Sequence, residues 1–141
     1  MNELMVSLLL WISGQTGLLY NGYDVPELVS VSAEALVRVQ YEGNLPENYD
    51  PGSHGYLGLF DHNRNRVYLL AELDLDSVAG RSVLLHELVH YLQYTNNRHQ
   101  AVECRRKLEE MAYFTQEAYL MEHSKPVPFS MWDVFYRMQC P

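Results

Sequence analysis

The sequence predicts an α+β fold in which a small three-stranded sheet covers one side of a long apolar helix. Strand-like runs rich in β-branched and aromatic residues are confined to residues 25–70, and a five-residue turn joins two of them. Helical periodicity dominates the chain after residue 76. The predicted order of elements is therefore α, β, α, β, β, α, α, α.

The length and the composition predict one domain that spans residues 1–141. Of the 141 residues, 48% are hydrophobic and 20% are charged, which is typical of a globular protein and too apolar for a disordered one. No internal repeat, low-complexity tract or linker divides the chain. We expect a single active site in such a domain.

The formal net charge of −8 argues against nucleic acid or an anionic membrane surface as a partner, because both require clustered Lys and Arg. The ten basic residues are scattered, apart from a short run at residues 105–107 that glutamates surround. We interpret this run as an exposed helix face without a binding role.

The first element is predicted to be an amphipathic helix that ends at Gly14 or Gly17. Residues 8–12 are apolar, but no basic residue precedes them, and Glu3 stands where a signal peptide carries positive charge. The apolar run is also too short to cross a bilayer, so we expect no membrane span.

The predicted strands lie at residues 25–31, 55–60 and 66–70. Ser32 is the predicted N-cap of a helix that follows the first strand and runs to about residue 41. A surface loop is predicted at residues 42–53, where Gly, Pro, Asn and Asp cluster. The last two strands flank the turn at residues 61–65, which is typical of an antiparallel hairpin.

Three helices are predicted in the second half of the chain, at about residues 77–94, 101–123 and 130–139. Asp76 is the candidate N-cap of the first of these helices. Two prolines separate the last two helices.

The pattern HExxH at residues 86–90 is the strongest functional signal in the chain. On a helix, His86 and His90 lie one turn apart on the same face, where two imidazoles can share one metal ion. Glu87 is predicted to take a proton from a metal-activated water and to pass it to the leaving amine. The alternative is a pair of structural histidines, whose burial without a metal or a partner would need its own explanation.

A third ligand is needed, because a catalytic zinc site has three protein ligands and one open position. A metzincin would have Gly at position 93 and His at position 96, where this chain has Gln93 and Asn96. A glutamate from the following helix is expected instead, and Glu109 borders the apolar side of that helix, with Glu110 as the alternative. A stripe that recurs every seven residues is predicted to face water: Glu103, Glu110 and Glu117.

The other polar residues near the motif are predicted to lack a direct role. Gln93 and Gln116 are more typical of exposed glutamines than of groups that support the ligands. Four histidines lack the spacing of ligands and are predicted to lie on the surface: His54, His62, His99 and His123. Four tyrosines have the chemistry to stabilise an oxyanion, and the sequence does not distinguish among them: Tyr91, Tyr94, Tyr113 and Tyr119.

The two cysteines, Cys104 and Cys140, are too few and too far apart for a cysteine-based metal site. They form either a disulfide that ties the C-terminus to a helix or two buried thiols. A disulfide would indicate a periplasmic or secreted protein, whereas free thiols would indicate a cytoplasmic one.

The HExxH pattern together with residues 109–112 resembles the gluzincin metallopeptidases, in which a later helix carries Glu-x-x-Ala-Asp or a near variant. Glu109 and Ala112 match that second element. Tyr113 stands where those families often have an Asp that supports the first histidine. The segment from Arg81 through HELVHYLQ is also similar to a group of small bacterial proteins, and the resemblance covers about residues 23–120.

The resemblance implies a minimal zincin-like domain, with the sheet packed on the HExxH helix and on a following glutamate helix. It implies a zinc-dependent hydrolase, in the first place a metallopeptidase, with Zn²⁺ held by His86, His90 and Glu109 and with Glu87 as general base. A peptide or protein substrate is expected to lie antiparallel along a sheet edge formed by residues 56–60 or 67–70. The alternatives are an inactive zincin-like domain that binds a metal or a protein partner, and hydrolysis of a different amide bond.

Overall fold

The computed structural model describes residues 2–40 and 57–141, which form an α+β architecture. The helices are α1 (Asn2–Thr16), α2 (Ala33–Gln40), α3 (Val78–Thr95), α4 (Glu109–Glu122) and α5 (Met131–Arg137), and two 3-10 helices lie at Arg98–Ala101 and Arg105–Leu108. The strands are β1 (Glu27–Val31), β2 (Gly58–Asp61) and β3 (Arg66–Leu70). The predicted class and the order of the main elements are confirmed, while the loop predicted at residues 42–53 and His54 lie outside the described residues.

The sheet is mixed, with the strand order β1-β3-β2. β3 pairs in parallel with β1 and antiparallel with β2, as the predicted hairpin requires. β3 is therefore the central strand, and its residues Val67, Tyr68 and Leu69 are buried. The prediction that residues 67–70 offer an open edge is wrong, because β1 occupies the second side of β3. Among residues 2–40 and 57–141, β2 has a strand partner on one side only, and its other side faces α3.

The helix α3 lies at the centre of the core. Its apolar side chains are buried on several faces, including Leu84, Leu85, Leu88, Val89 and Leu92. The helix packs against α1, against α4 and against the sheet. A helix that is apolar nearly all round is a buried helix, and each fully buried Leu contributes roughly 1.5–3 kcal/mol. This packing fixes the backbone that carries both histidines of the motif.

Ser77 caps the N-terminus of α3. The prediction that Asp76 is the N-cap is wrong. The hydroxyl oxygen of Ser77 accepts a hydrogen bond from the backbone N–H of Gly80 at 2.9 Å. The carbonyl group of Asp76 accepts a hydrogen bond from the Arg81 guanidinium at 2.9 Å. Asp76 therefore supports the first turn through its backbone, and its side chain is not the cap.

The glutamate helix starts later than predicted. The sequence predicts a helix from about residue 101, whereas α4 begins at Glu109 and is preceded by the two 3-10 helices. The backbone of Val102 and Cys104 is extended, with φ of −117° and −152°, and such residues interrupt a helix. Glu109 consequently lies in the first turn of α4, where the helix dipole favours a carboxylate.

The two cysteines form a disulfide, which is one of the two predicted alternatives. The bond joins Cys104, just before the second 3-10 helix, to Cys140, which follows α5. The helix predicted at residues 130–139 is shorter and covers Met131–Arg137. It begins with a capping box, in which Ser130 and Asp133 satisfy each other's backbone N–H groups.

The first helix is amphipathic, as predicted. α1 buries Met5, Leu8, Leu9 and Ile12 on one face. It continues through Gly14 and ends before Gly17, whose φ of +79° lies in the region that glycine favours. In the stretches that the structure describes, none of the helices has the length and apolar character needed to cross a bilayer.

Candidate metal centre

His86, His90 and Glu109 come together between α3 and α4. The two imidazole rings lie one helical turn apart, with their centroids separated by 5.1 Å. Oε1 of Glu109 lies 3.2 Å from Nε2 of His86 and is in closer contact with Nε2 of His90. One ligand atom from each residue lies within 4.8 Å of the other two. The neighbouring Glu110 is exposed, so the structure brings Glu109 to the histidines and not the predicted alternative.

A buried glutamine contacts the far nitrogen of each histidine ring. The side-chain oxygen of Gln116 lies 2.9 Å from Nδ1 of His86, and that of Gln93 lies 2.8 Å from Nδ1 of His90. Only 6% of Gln116 and 2% of Gln93 is exposed. The prediction that these two residues are exposed glutamines is therefore wrong.

The remaining contacts of the two glutamines determine which way each amide group points. The Gln93 amide nitrogen donates to the carbonyl oxygen of Leu108 at 3.0 Å, and the Gln116 amide nitrogen donates to the Ser82 hydroxyl at 3.2 Å. Both amide oxygens must then accept from the imidazoles, so each Nδ1 carries the proton. Both Nε2 atoms therefore face Glu109. Metal-bound histidines in proteins are commonly supported in this way, by a hydrogen bond from the second ring nitrogen to an acceptor.

The charges of these groups depend strongly on one another. Burial lowers the pKa of His90, but its hydrogen bond with Glu109 outweighs burial and raises the pKa to about 9. Burial raises the pKa of the Glu109 carboxyl, but its contacts with His86 and His90 hold it well below its ordinary value. Two imidazole nitrogens and a carboxylate therefore require positive charge between them, supplied by a proton or by a cation.

Glu87 lies beside the histidines and reaches towards the sheet. Its side chain is buried, and Oε1 accepts a hydrogen bond from the backbone N–H of Phe60 in β2 at 3.1 Å. Burial raises the pKa of the Glu87 carboxyl. A Cβ at Gly58 would lie 3.1 Å from Cγ of Glu87, so the glycine leaves room for the carboxylate against the strand.

The comparisons with known proteins connect the chain with one family. Residues 1–141 match the family described as "Domain of unknown function (DUF6647)". The chain belongs to this family. No curated protein and no solved structure is significantly similar to the chain.

In this DUF6647 member, Tyr113 packs against the first histidine. Its ring meets the His86 ring edge-on at 4.4 Å and also contacts Phe129 at 4.9 Å. Burial, and then the negative charge of Glu109, raise the pKa of Tyr113 to about 12. Gln116, one turn further along α4, contacts Nδ1 of His86.

Two of the other candidate tyrosines point away from the histidines. The hydroxyl of Tyr91 donates to the carbonyl oxygen of Asp24 at 3.4 Å, and that of Tyr119 accepts from Arg81 at 3.2 Å. Tyr94 lies in a stack of rings instead, with His62 on one face at 4.4 Å and His99 on the other at 4.3 Å.

The histidines outside the motif remain apart from the triad. His62 and His123 are exposed, as predicted, whereas His99 is half-buried. The Nδ1 atom of His99 has no hydrogen-bond partner among the described residues. Nδ1 of His123 lies 2.8 Å from the carbonyl oxygen of Tyr119.

A groove runs along α3 and passes the triad. Its walls come from β2 on one side and from α4 and α5 on the other. At the N-terminal end of α3 it is lined by Glu72, Asp74 and Gly80, and at the C-terminal end by Tyr94, Arg105 and Arg106. The 14 residue steps from Gly80 to Tyr94 span about 21 Å at the rise of an α-helix. An extended segment of about six residues fits this length.

Proposed function

We propose that this chain is a zinc-dependent hydrolase of the gluzincin type, which cleaves peptide bonds. The proposal rests mainly on the side-chain oxygens of Gln93 and Gln116, which leave Nε2 of His90 and of His86 facing the Glu109 carboxylate. The proposed fold is a minimal zincin-like domain, in which the sheet covers α3 and α4 supplies the glutamate.

The donor set suits zinc. Two imidazole nitrogens and one carboxylate oxygen are the ligands of many catalytic zinc sites, which keep a fourth position open. When bound, zinc would supply a Lewis acid that lowers the pKa of a coordinated water and polarises a carbonyl group. His86, His90 and Glu109 would hold the ion, and the two glutamines would fix the ring orientations.

Glu87 is the proposed general base. Its carboxylate lies on the motif face of α3, and burial raises its pKa above that of an ordinary glutamate. A raised pKa suits a group that first accepts a proton from water and then donates it to the leaving amine. The hydrogen bond from Phe60 leaves the second carboxylate oxygen of Glu87 for this exchange.

The edge of β2 is the proposed binding surface for the peptide backbone. Leu70 donates a backbone hydrogen bond to Leu57 at 3.0 Å, and hydrogen-bonded pairs alternate along an antiparallel ladder. The backbone groups of Gly58 and Phe60 therefore point away from β3. Glu87 accepts the hydrogen bond from the Phe60 N–H. A peptide running antiparallel to β2 would pair with the backbone groups of Gly58 and with the carbonyl group of Phe60.

Metal analysis tests the proposed zinc site. The protein, stripped with a chelator and reloaded with Zn²⁺, should bind one ion per chain by elemental analysis. Glu109→Gln should lower the zinc affinity by about a hundredfold or more, because it removes a charged ligand. The control Glu110→Gln changes an exposed neighbour and should bind zinc as the wild type does. Equal affinity of the two variants would contradict the ligand assignment.

Activity measurements on Glu87→Gln test the proposed general base. The variant should keep its zinc and lose peptide hydrolysis by a factor of about a hundred or more, because the proton acceptor is gone. A mixture of varied quenched fluorescent peptides serves as substrate, with Glu110→Gln again as the control. A zinc-loaded Glu87→Gln protein with wild-type activity would contradict the role of the base.

An inactive zincin-like domain that binds a protein partner is the second candidate. Exposed apolar side chains on α5 favour it, since Trp132 is 81% and Phe135 is 58% exposed. Such a protein would bind zinc and hydrolyse none of the peptides, and Glu87→Gln would change neither property.

A further inference from the structure

The two ends of the groove differ in charge. Glu72 and Asp74 line the end at the N-terminus of α3, and Arg105 and Arg106 line the end at its C-terminus. Asp61 is near the second end, but Arg64 pairs with it at 2.8 Å. A peptide in the groove would therefore meet negative charge at one end and positive charge at the other.

Arg105 is available to a ligand at the positive end. Its side chain is exposed, and its guanidinium carbon lies 5.8 Å from the centroid of the Tyr94 ring. Among the described residues, no carboxylate lies within ion-pair distance of it. Arg106 donates one long hydrogen bond, of 3.4 Å, to the carbonyl oxygen of Gln139. The guanidinium groups thus keep most of their donors for a partner.

A stack of rings supports this end of the groove. His62 and His99 lie on opposite faces of Tyr94, with interplanar angles of 13° and 22°. Burial lowers the pKa of His62, and the positive charge of Arg105 lowers it further. The positive charge of Arg105 therefore acts on the His62 ring, which stacks on Tyr94.

The direction of the peptide follows from the sheet. A Cβ at Gly58 would meet Cγ of Glu87, and His62, which follows β2, stacks on Tyr94, so β2 runs in the same direction as α3. A peptide antiparallel to β2 then has its N-terminal residues beside Tyr94. His90 and Tyr94 are one turn, about 6 Å, apart, which corresponds to about two residues of an extended peptide.

We propose that Arg105 and Arg106, supported by the stack of His62, Tyr94 and His99, bind an acidic side chain of the substrate two or three residues before the cleaved bond. This specificity rests on the proposed peptidase function, and it departs from the interpretation of residues 105–107 as a face without a binding role. Guanidinium groups recognise carboxylates through paired N–H donors, whereas a Gln in the same position would lack the charge. The preferred substrates are therefore acidic peptides, and the acidic residues precede the cleavage site.

Binding measurements on the zinc-loaded Glu87→Gln protein test the proposal without requiring catalysis. Three labelled peptides differ only in having Glu, Gln or Lys at the second and third positions before the bond. In fluorescence anisotropy, the Glu peptide should bind about five- to tenfold more tightly than the Gln peptide, and the Lys peptide more weakly still. Placing the Glu residues after the cleaved bond should abolish the higher affinity.

Arg105→Gln should bring the affinities for the Glu and Gln peptides within about twofold of each other. Lys107→Gln is the matched control, because it removes the same charge from the same 3-10 helix at a residue that does not line the groove. It should keep the wild-type ratio. The preference should also shrink in 0.5 M salt.

Equal binding of the Glu and Gln peptides to the zinc-loaded protein, or a ratio that Arg105→Gln leaves unchanged, would overturn the proposed subsite. Failure of the peptidase proposal has a different signature: the acidic peptides would bind with the expected preference, and the zinc-loaded wild type would not cleave them. If no peptide binds at all, the subsite is overturned as well.

Discussion

The side-chain oxygen of Gln116 lies 2.9 Å from Nδ1 of His86, while Nε2 of the same ring faces Glu109. The first histidine of the motif is thus held from both sides by residues of α4. We expect Gln116→Met to weaken zinc binding by about ten- to a hundredfold, because the ring loses the acceptor that fixes its tautomer. Competition with a fluorescent chelator measures this change.

Gln100→Met provides the control for this substitution, since Gln100 is exposed and lies on the first 3-10 helix. It should leave the zinc affinity unchanged. A Gln116→Met protein with wild-type affinity would show that the glutamine does not support the ligand.

Zinc binding should release a proton at neutral pH. In the metal-free protein the pKa of His90 is raised to about 9 by its hydrogen bond with Glu109, in spite of burial, so the ring is protonated at about pH 7.5. That proton must leave before Nε2 can bind a metal. Calorimetry in buffers of different ionisation enthalpy should give about one proton per zinc at pH 7.5 and fewer above pH 9. Release that does not depend on pH would contradict this protonation state.

The stability of the metal-free protein should have an acidic optimum. The pKa of His90 is higher in the folded state, so its stabilisation is complete below about pH 6.5 and is lost as the pH rises through about 9. The pKa of Glu109 is lower in the folded state, so its stabilisation is complete above about pH 4.5 and is lost in acid. Urea unfolding with a chelator present should therefore show maximal stability near pH 5–6. His90→Gln should flatten the alkaline side of the profile.

Gly58→Ala should disturb Glu87, the proposed general base, and spare the proposed metal site. The added Cβ would lie 2.9 Å from the end of the Leu69 side chain and 3.1 Å from Cγ of Glu87, so Leu69 has to shift and Glu87 has to give by a few tenths of an ångström. We expect peptide hydrolysis to fall on the order of tenfold or more with zinc content unchanged, since small displacements of a catalytic group are costly. In Gly14→Ala the new methyl group meets no atom within 4 Å, and this control should keep full activity. Equal activity of both variants would contradict the contact.

Loss of the disulfide should destabilise the protein. Cys104 and Cys140 are separated by 36 residues, and the loop-entropy relation gives about 4 kcal/mol for a closure of that length. The double variant Cys104→Ser/Cys140→Ser should lose this amount in urea unfolding. Treating the wild type with a reductant should give the same loss, and a loss below about 1 kcal/mol would contradict the relation.

The sequence was sufficient to find the residues that converge, because HExxH on a helix fixes the relation of His86 to His90 by local geometry. Glu109 was also found, although the helix that carries it starts eight residues later than predicted. The choice of Glu109 over Glu110 depended only on which side of the helix is apolar, and that side is shared by Ala112, Gln116 and Leu120, which are buried.

The features that the sequence did not predict depend on tertiary contacts. A glutamine has the same local preferences in water and in the core, so the sequence did not show that Gln93 on α3 reaches the Leu108 carbonyl in the second 3-10 helix. A hairpin shows that β2 and β3 pair, but the parallel partner β1 approaches from 35 or more residues away. The extended backbone at Cys104 depends on its partner near the C-terminus.

The disulfide encloses Glu109 and Gln116 in a covalent ring, while both histidines lie outside it. A metal held by all three ligands would join residues 86 and 109. It would close a second loop, which overlaps the disulfide loop at residues 104–109. Both links stabilise the same folded state, so metal affinity and disulfide stability become reciprocally linked quantities. Reduction would weaken the hold on the ion, and removal of the ion would make the disulfide easier to reduce.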